Sequence, residues 1–513
     1  MSDLPLDELL WDVTGARRFP PQSNPRIRSV VYDSREADSG SLFVALPGSA
    51  VNGHDFVEDA IHRGSSAVVV QQHGGTVGRV SESLRSRAVT IEVEDTRRAL
   101  SAISSAFYGH PSKELHTIGV TGTDGKSTTV YIIHQLLEHL GIPSGFVSTP
   151  QIQVERAVID NPFRNSTPES LQIHRILREM RDASRTHAVI EATSHGLSPR
   201  TSRLADVAFD CGVFTNLTHE HLEFHGSFEQ YRSDKGNLFR ALDASPIGIG
   251  VVNLDDDSAA FFAAVSSRPV FTYSIARSDA DLFATSPAYS AGGARFDLHV
   301  GEDIVPVESS LPGEYNVSNT LAALLAVSKS VGVSVQELVP AVRSLRPQPG
   351  RMATVGTLRG STVLVDYAHT PGAFAKLLPV LKERTPGRLI IVFGSAGERD
   401  VEKRALQGAV ADEHADIVVL ADEDPRGEDP VTILEHIAMA MSRHRRGEDL
   451  YLIPDRGEAI RHALSFAGDG DTVALLGKGH ESSIIYADRV LDWDEAAVAK
   501  AALRDMGGRP ADE

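Results

Sequence analysis

The chain is short of cysteine, of basic residues and of long apolar runs, and each shortage closes off a class of function. One cysteine, Cys211, in 513 residues permits no internal disulfide framework and no cysteine-based metal cluster. No stretch reaches the roughly 18 uninterrupted apolar residues of a membrane span. Fifty basic against 69 acidic residues leave a net charge of −19, which argues against a nucleic-acid surface but leaves room for a local basic pocket. The opening Met1-Ser-Asp-Leu-Pro-Leu-Asp-Glu8 lacks the basic-then-apolar pattern of a secretion signal. Heptads, low-complexity tracts and short-period repeats are also missing. With 41% apolar and 23% charged residues, the expectation is a cytoplasmic globular protein of more than one domain.

The most informative stretch present is Ile118-Gly-Val-Thr-Gly-Thr-Asp-Gly-Lys-Ser-Thr-Thr129. A β-type run over 116–120 breaks into a Gly-rich turn, and a helical run follows over 128–140. Gly122 and Gly125 let backbone N–H groups approach a phosphate chain, Lys126 adds a mobile positive charge, and Ser127 offers a hydroxyl to Mg²⁺. The helix N-terminus adds its partial positive charge at the same point. The usual longer spacing would need Gly where the chain has Val120, so this is the shorter Gly-x-x-Gly-Lys-Ser form. A Gly-rich turn that binds nothing would not need strand, Lys, Ser and helix together.

Three blocks follow from the pattern. Residues 1–108 hold short apolar runs (29–32, 41–46, 67–70, 89–93) between polar turns. Residues 109–345 alternate strand-like runs (188–191, 206–214, 247–252) with helical stretches, which implies a mainly parallel sheet covered on both faces. Past the Pro-rich hinge at 346–350, residues 346–513 repeat one theme four times. The runs 363–365, 389–393, 417–420 and 473–476 end in Asp366-Tyr-Ala-His369, Gly394-Ser-Ala-Gly-Glu-Arg399, Ala421-Asp-Glu-Asp-Pro-Arg426 and Gly477-Lys-Gly-His-Glu481. Ligands of open α/β sheets bind beyond the carboxyl ends of strands, and four charged loops at such ends argue for a site.

In the middle block, Glu191 closes a strand where a sheet of this type would place a carboxylate for Mg²⁺; an ordinary solvated strand end is the competing reading. His219, His221 and His225 fall within a dozen residues. Without cysteine, and with spacing unlike common zinc patterns, a polar turn leading into a helix accounts for His219 and His225. Taken by itself, the segment 231–239 reads as an amphipathic helix with Lys235 facing solvent.

Taken together, these pieces resemble the Mur ligases of peptidoglycan synthesis. The resemblance is carried by Gly122-Thr-Asp-Gly-Lys-Ser-Thr128, Asn165-Ser-Thr-Pro168, Glu191-Ala-Thr-Ser-His-Gly196, Thr215-Asn-Leu217 with His221-Leu-Glu-Phe-His-Gly226, Tyr231 with Lys235, Gly313-Glu-Tyr-Asn-Val-Ser-Asn319 and Gly350-Arg351. Asp366-Tyr-Ala-His-Thr-Pro371, Glu398-Arg-Asp400 with Lys403-Arg404, and Gly477-Lys-Gly-His-Glu481 continue it in family order across nearly the whole chain. Asp33-Ser-Arg35, 41–48 and Gly53-His-Asp-Phe56 are similar to the uridine-binding domain of the MurE-type branch, which adds the third peptide residue.

The resemblance implies an α/β fold of three domains: a uridine-binding N-terminal domain (1–108), a central P-loop-type ATPase domain with a mainly parallel sheet (109–345), and a Rossmann-like C-terminal domain that binds an amino acid (346–513). It implies that ATP phosphorylates the D-glutamyl carboxylate of UDP-N-acetylmuramoyl-L-Ala-D-Glu and that an amine then displaces phosphate from the acyl phosphate. Lys126, Glu191, His221, Lys235 and Arg351 would be catalytic. Gly122, Thr123, Asp124, Gly125, Lys126, Ser127, Thr128, Asn319, Arg351 and Asp366 would bind ATP. Mg²⁺ would be held by Ser127, Glu191, His221 and Lys235, the lysine carrying a CO₂ adduct as a carbamate. Ser34, Asn165, Ser166, Thr167, Thr193 and Arg203 would hold the UDP-sugar peptide, with Arg200 competing for the role of Arg203.

Arg399, Glu423, Asp424, Pro425, Arg426, Gly477 and Glu481 would bind the amino acid. Where diaminopimelate-adding enzymes read Asp-Asn-Pro-Arg, this chain has Glu423-Asp-Pro-Arg426. Asp424 would repel a second carboxylate and attract a terminal ammonium, which favours L-lysine or L-ornithine over meso-diaminopimelate; the competing reading is that Asp424 turns toward Lys478 or Arg399, and Arg426 is what a diaminopimelate enzyme would keep. The expected partners are small molecules only, with no nucleic acid and no membrane, and the chain is expected to act as a monomer. The competing readings are a folylpolyglutamate synthase-like ligase and a nucleotide-binding paralogue without catalysis.

Overall fold

The computed structural model describes residues 3–48, 51–72, 87–163, 165–218, 220, 222–290, 293–348, 350 and 352–511. Two sequence candidates, His221 and Arg351, lie outside the described residues, as does His219. The chain divides into two units: the first takes in residues 1–288, 295–309 and 314–345, the second residues 289–294, 310–313 and 346–513.

The first unit is built on two sheets. The smaller has five strands in the order Arg17–Phe19, Val89–Val93, Ala67–Gln71, Ser41–Val44, Ser29–Val31. The last four run parallel, and Arg17–Phe19 pairs antiparallel at one edge. Continuous apolar runs such as Ala67–Gln71 suit strands covered on both faces. The helix Thr96–Phe107 packs on this sheet, capped by the Asp95 carboxylate, which accepts from the N–H groups of Arg97 and Arg98.

The larger sheet has eleven strands, with His116–Thr121 inside it. Its neighbours His187–Glu191 and Cys211–Phe214 both run parallel to it. The register sets Glu191 opposite Val120 and Phe214 opposite Thr121, so the segments that follow both strands start level with the Gly-rich turn. Ser144–Val147, Ile249–Asn253, Val270–Ser274 and Leu282–Ser290 extend the parallel part. Gln151–Gln153 and Val158–Asp160 add an antiparallel edge. The apolar run 206–214 yields a strand only from Cys211. Cys211 is wholly buried, and burial pushes its thiol up to about 12, which leaves it chemically quiet at neutral pH.

The second unit carries seven strands in the order Leu450–Leu452, Ile417–Leu420, Leu389–Phe393, Thr472–Leu476, Ser361–Asp366, Ala353–Leu358, Arg509–Pro510. The first five are parallel, Ala353–Leu358 pairs antiparallel with Ser361–Asp366, and Arg509–Pro510 pairs antiparallel with Ala353–Leu358. In chain order the parallel strands stand fourth, third, second, fifth, first, so the four charged loops read from the sequence emerge at one end of one sheet. No described helix is long and apolar enough to cross a membrane.

Candidate active site

The phosphate-type loop joins the strand His116–Thr121 to the helix Lys126–His139, which begins two residues earlier than the sequence pattern suggests. Two glycines are compelled by space. A Cβ on Gly122 would lie 1.9 Å from Thr215 Oγ1, and one on Gly125 would lie 2.4 Å from Asn319 Oδ1; Gly125 also has φ +81°. Residues 215–218 hold the turn in shape. Thr215 Oγ1 donates to the Asp124 carbonyl (2.7 Å), Asn216 Oδ1 accepts from the Asp124 N–H (2.9 Å), and the Thr218 N–H donates to Thr123 Oγ1 (2.9 Å). Lys126 Nζ folds back onto the Thr123 carbonyl at 2.6 Å. The helix has no side-chain N-cap, so its first-turn amides keep the arrangement that suits an anion.

Directly beside this loop, Ser127 Oγ donates to Glu191 Oε2 at 2.8 Å. The Glu191 carboxylate is buried and also accepts from the Thr149 N–H (2.8 Å) and Thr149 Oγ1 (2.9 Å). A hydroxyl and a carboxylate on the edge of an anion cradle form the hard oxygen set that Mg²⁺ takes alongside phosphate oxygens and water. Among the described residues no group of three or more His, Cys, Asp or Glu could hold a metal by itself.

Lys235 corrects the reading of its helix as a plain amphipathic element. The helix Phe228–Ala241 turns Tyr231, Lys235 and Phe239, spaced at i, i+4 and i+8, toward the interior. Lys235 is 1% exposed; its Nζ donates to the Gly122 carbonyl at 2.5 Å and stands 4.6 Å from the Tyr231 ring centroid. Burial, aided by the positive charge of Lys126, drives its pKa well below the ordinary lysine value, against the pull of Glu220, Glu191 and Asp124. The Tyr231 hydroxyl lies 3.1 Å from Thr123 Oγ1, tying this helix to the loop. His225 is buried too, with Nδ1 2.7 Å from Asp234 Oδ2, so it is an internal partner of that helix and not part of a polar surface turn. Thr149 and Tyr231 were not singled out for these contacts by sequence reasoning. The i, i+4, i+8 stripe through Tyr231 was a usable signal, whereas Thr149 reaches Glu191 only through sheet pairing.

Thr167 Oγ1 donates to the Glu191 carbonyl (2.9 Å) and meets Thr193 Oγ1 at 2.8 Å. Arg203 joins this cluster through Nη1 to the Thr167 carbonyl (3.0 Å), braced by Glu169. Arg200 is directed instead to the Phe224 carbonyl and ring. Asn165 is exposed and Ser166 half-buried on the same segment, and Ser34 lies buried just past the strand Ser29–Val31 of the smaller sheet. Asn319 Oδ1 accepts from Thr129 Oγ1 at 3.3 Å, on the helix that follows the loop.

In the second unit, Asp366 is engaged by the Met352 and Ala368 N–H groups, both at 2.7 Å. Glu423, Asp424 and Pro425 are buried after the strand Ile417–Leu420, Gly477 is buried after Thr472–Leu476, and Arg399 is exposed. Lys478, whose side chain is fully buried, donates to Asp424 Oδ1 (3.0 Å) and Glu481 Oε2 (2.5 Å). Arg426, at φ +55°, stands 3.8 Å from Asp424 Oδ2. Glu423 Oε2 makes no hydrogen bond among the described residues, and burial pushes that carboxyl from an ordinary 4.5 up to about 7.

Comparison with known proteins adds the following. Residues 26–108 match the Mur ligase family catalytic domain, 120–327 the Mur ligase middle domain, and 350–479 the Mur ligase glutamate ligase domain. A UDP-N-acetylmuramyl-tripeptide synthetase of Treponema denticola is 42% identical over 504 residues, covering 93% of this chain and 94% of its own. A UDP-N-acetylmuramoyl-L-alanyl-D-glutamate–2,6-diaminopimelate ligase of Geobacillus kaustophilus is 38% identical over 94% of this chain and 96% of its own. A solved structure of a ligase of that second name superposes with a TM-score of 0.65 at 28% identity, covering 99% of this chain and all of its own.

Proposed function

The chain belongs to the Mur ligase family, and on that premise we propose that it adds L-lysine or L-ornithine to UDP-N-acetylmuramoyl-L-Ala-D-Glu. It is an ATP-dependent ligase of tripeptide synthesis in peptidoglycan assembly. The observation that carries the site assignment is the pairing of Ser127 with Glu191 beside a glycine-forced anion turn whose Gly122 carbonyl holds the buried Lys235.

Ser127 and Glu191 would hold Mg²⁺, with His221 as the resemblance implies; the ion, when bound, neutralises charge on phosphate oxygens. Lys126 and the first-turn amides would bind the phosphate chain and stabilise charge moving away from the transferred group. Lys235 would carry a carbamate. Its depressed pKa supports this, because the neutral amine is the form that attacks CO₂: an N–C bond forms and a proton leaves to solvent. The carbamate keeps one N–H, enough for the Gly122 bond. Thr167, Thr193 and Arg203 would receive the peptide end of the nucleotide sugar. Arg351 would act at the transferred phosphate, and Asn319 and Asp366 would contact the nucleoside. The same reading assigns 1–108 to the uridine moiety, 109–345 to ATP and 346–513 to the amino acid, in a monomer.

The amino-acid preference is supported by three carboxyls, Glu423, Asp424 and Glu481, gathered about Lys478, which engages the last two, with Arg426 at their edge. Such a cluster favours an incoming ammonium over a second carboxylate, while Arg426 and Arg399 are available for the α-carboxylate. Phosphate release measured with Lys, Orn and meso-diaminopimelate separately tests the assignment. Turnover confined to diaminopimelate would overturn the preference and leave the family chemistry standing.

A further inference from the structure

We infer that Arg456 is a positioning residue for the amino-acid loops, a buried staple that sets the spacing between residues 422–426 and 477–481. The inference rests on the reading that these loops hold the amino acid. Arg456 opens the helix Arg456–Phe466, and its side chain is fully buried against that of Glu495, also fully buried. Nε donates to both Glu495 oxygens (3.1 and 2.9 Å) and Nη2 to Glu495 Oε1 (2.7 Å). The remaining donors point the other way: Nη1 to the Asp422 carbonyl (3.1 Å) and Nη2 to the Leu476 carbonyl (2.7 Å). Glu495 is in turn fixed by Trp493 Nε1 at 2.6 Å. The Asp422 N–H donates to the Pro454 carbonyl at 3.0 Å, so the approach to this helix and the loop are joined twice.

Those two carbonyls stand at the ends of strands that are not neighbours: Leu476 closes Thr472–Leu476, and Asp422 lies two residues past Ile417–Leu420. Leu389–Phe393 lies between Ile417–Leu420 and Thr472–Leu476, and no ladder hydrogen bond relates the segments that leave them. Gly394, which follows the intervening strand, comes so close to the next loop that a Cβ there would sit 2.1 Å from the Ala421 carbonyl. One planar guanidinium therefore spans the bases of the two loops, a separation the sheet leaves unset, while Lys478 joins them further out through the Asp424 side chain. Asp422 and Leu476 immediately precede Glu423 and Gly477, and a Cβ on Gly477 would lie 3.0 Å from Glu423 Oε2, which shows how closely the two loops approach. A lysine has one nitrogen and cannot reach both carbonyls and Glu495 in this fork. Burying such an ion pair is a poor route to stability alone, since an apolar replacement is often as good, whereas the orientation of two carbonyls needs donors.

The test uses the full chain, with initial rates of phosphate release as the diamino acid is titrated at saturating ATP and UDP-dipeptide. Arg456→Lys should raise the KM for the diamino acid about tenfold, equivalent to about 1.4 kcal/mol, with the KM for ATP and for the UDP-dipeptide unchanged. Glu495→Gln and Trp493→Phe should move the same constant in the same direction by less, and they decide the matter if Arg456→Lys does not fold. Arg426→Met serves as the marker of the site itself. An unchanged amino-acid KM in Arg456→Lys or Glu495→Gln, with only a lower melting temperature, would reduce the pair to a core element and overturn the inference. If Arg426→Met leaves that KM unchanged, the loops do not hold the amino acid, and the inference falls with the reading beneath it.

Discussion

Glu423→Gln should stabilise the chain at alkaline pH while weakening its hold on the amino acid. The carboxyl is 6% exposed, has one oxygen with no hydrogen bond among the described residues, and is pushed by burial from 4.5 to about 7. An acid with a raised pKa in the folded state binds its proton more tightly there than in the unfolded chain. Stability is therefore present below the unfolded value of 4.5 and is lost as pH rises through about 7. Over 2.5 pH units (about 7 less 4.5) the loss is roughly 3 kcal/mol at about 1.36 kcal/mol per unit. A neutral, isosteric Gln does not suffer it. The gap between variant and parent should be under about 1 kcal/mol at pH 5 and about 3 kcal/mol at pH 8, or roughly 6–12 °C in the melting of a unit this size. Scanning calorimetry at the two pH values, following the transition of the second unit, measures it. An incoming ammonium would favour the ionised carboxylate, so the diamino-acid KM of the parent should fall from pH 6 to pH 8, and the Gln variant should lose that dependence. A stability gap that is the same at pH 5 and pH 8 would refute the reasoning.

Other outcomes follow from the same geometry. Glu191→Gln keeps an acceptor for Ser127 and Thr149, so it should fold normally yet lose about 10²–10³-fold in kcat and need more Mg²⁺ for half activity; an Mg²⁺ requirement equal to the parent's would contradict this. ¹³C-bicarbonate NMR of the parent should show a carbamate signal that Lys235→Arg lacks, with activity in the variant down by about 10²-fold or more. A fully active Lys235→Arg enzyme would remove the lysine from the chemistry. Asp424→Asn retains an acceptor for the Ile485 N–H but releases Lys478 from one of its two carboxylates. It should shift the ratio of kcat/KM values toward meso-diaminopimelate by about tenfold, and an unmoved ratio in a competition assay would dismiss Asp424 as a selector.

The parts legible in the sequence were those written in local pattern. The apolar runs at 389–393, 417–420 and 89–93 form strands with those bounds, because they are short, rich in β-branched residues and closed by polar turns. The strand–turn–helix around Gly122 was equally plain. Lys235 was hidden because a charged side chain normally marks a solvent face, and only its place between Tyr231 and Phe239 in the buried stripe says otherwise. The Thr149 partner of Glu191 was not legible at all, whereas Lys478 was one of two cations the sequence offered to Asp424, with nothing local to choose it over Arg399. Thr149 and Lys478 reach Glu191 and Asp424 across 42 and 54 residues of chain, through strand order that no local spacing encodes. The edge hairpin of Gln151–Gln153 and Val158–Asp160 also went unseen, its runs being only three residues each.

The central claim is tested most directly by phosphate release and product mass with ATP, Mg²⁺ and UDP-N-acetylmuramoyl-L-Ala-D-Glu, supplying L-lysine, L-ornithine or meso-diaminopimelate one at a time. Release with lysine or ornithine, matched by the mass of that residue on the nucleotide, is the expected result. Folded protein that binds ATP but releases no phosphate with any of the three would contradict it.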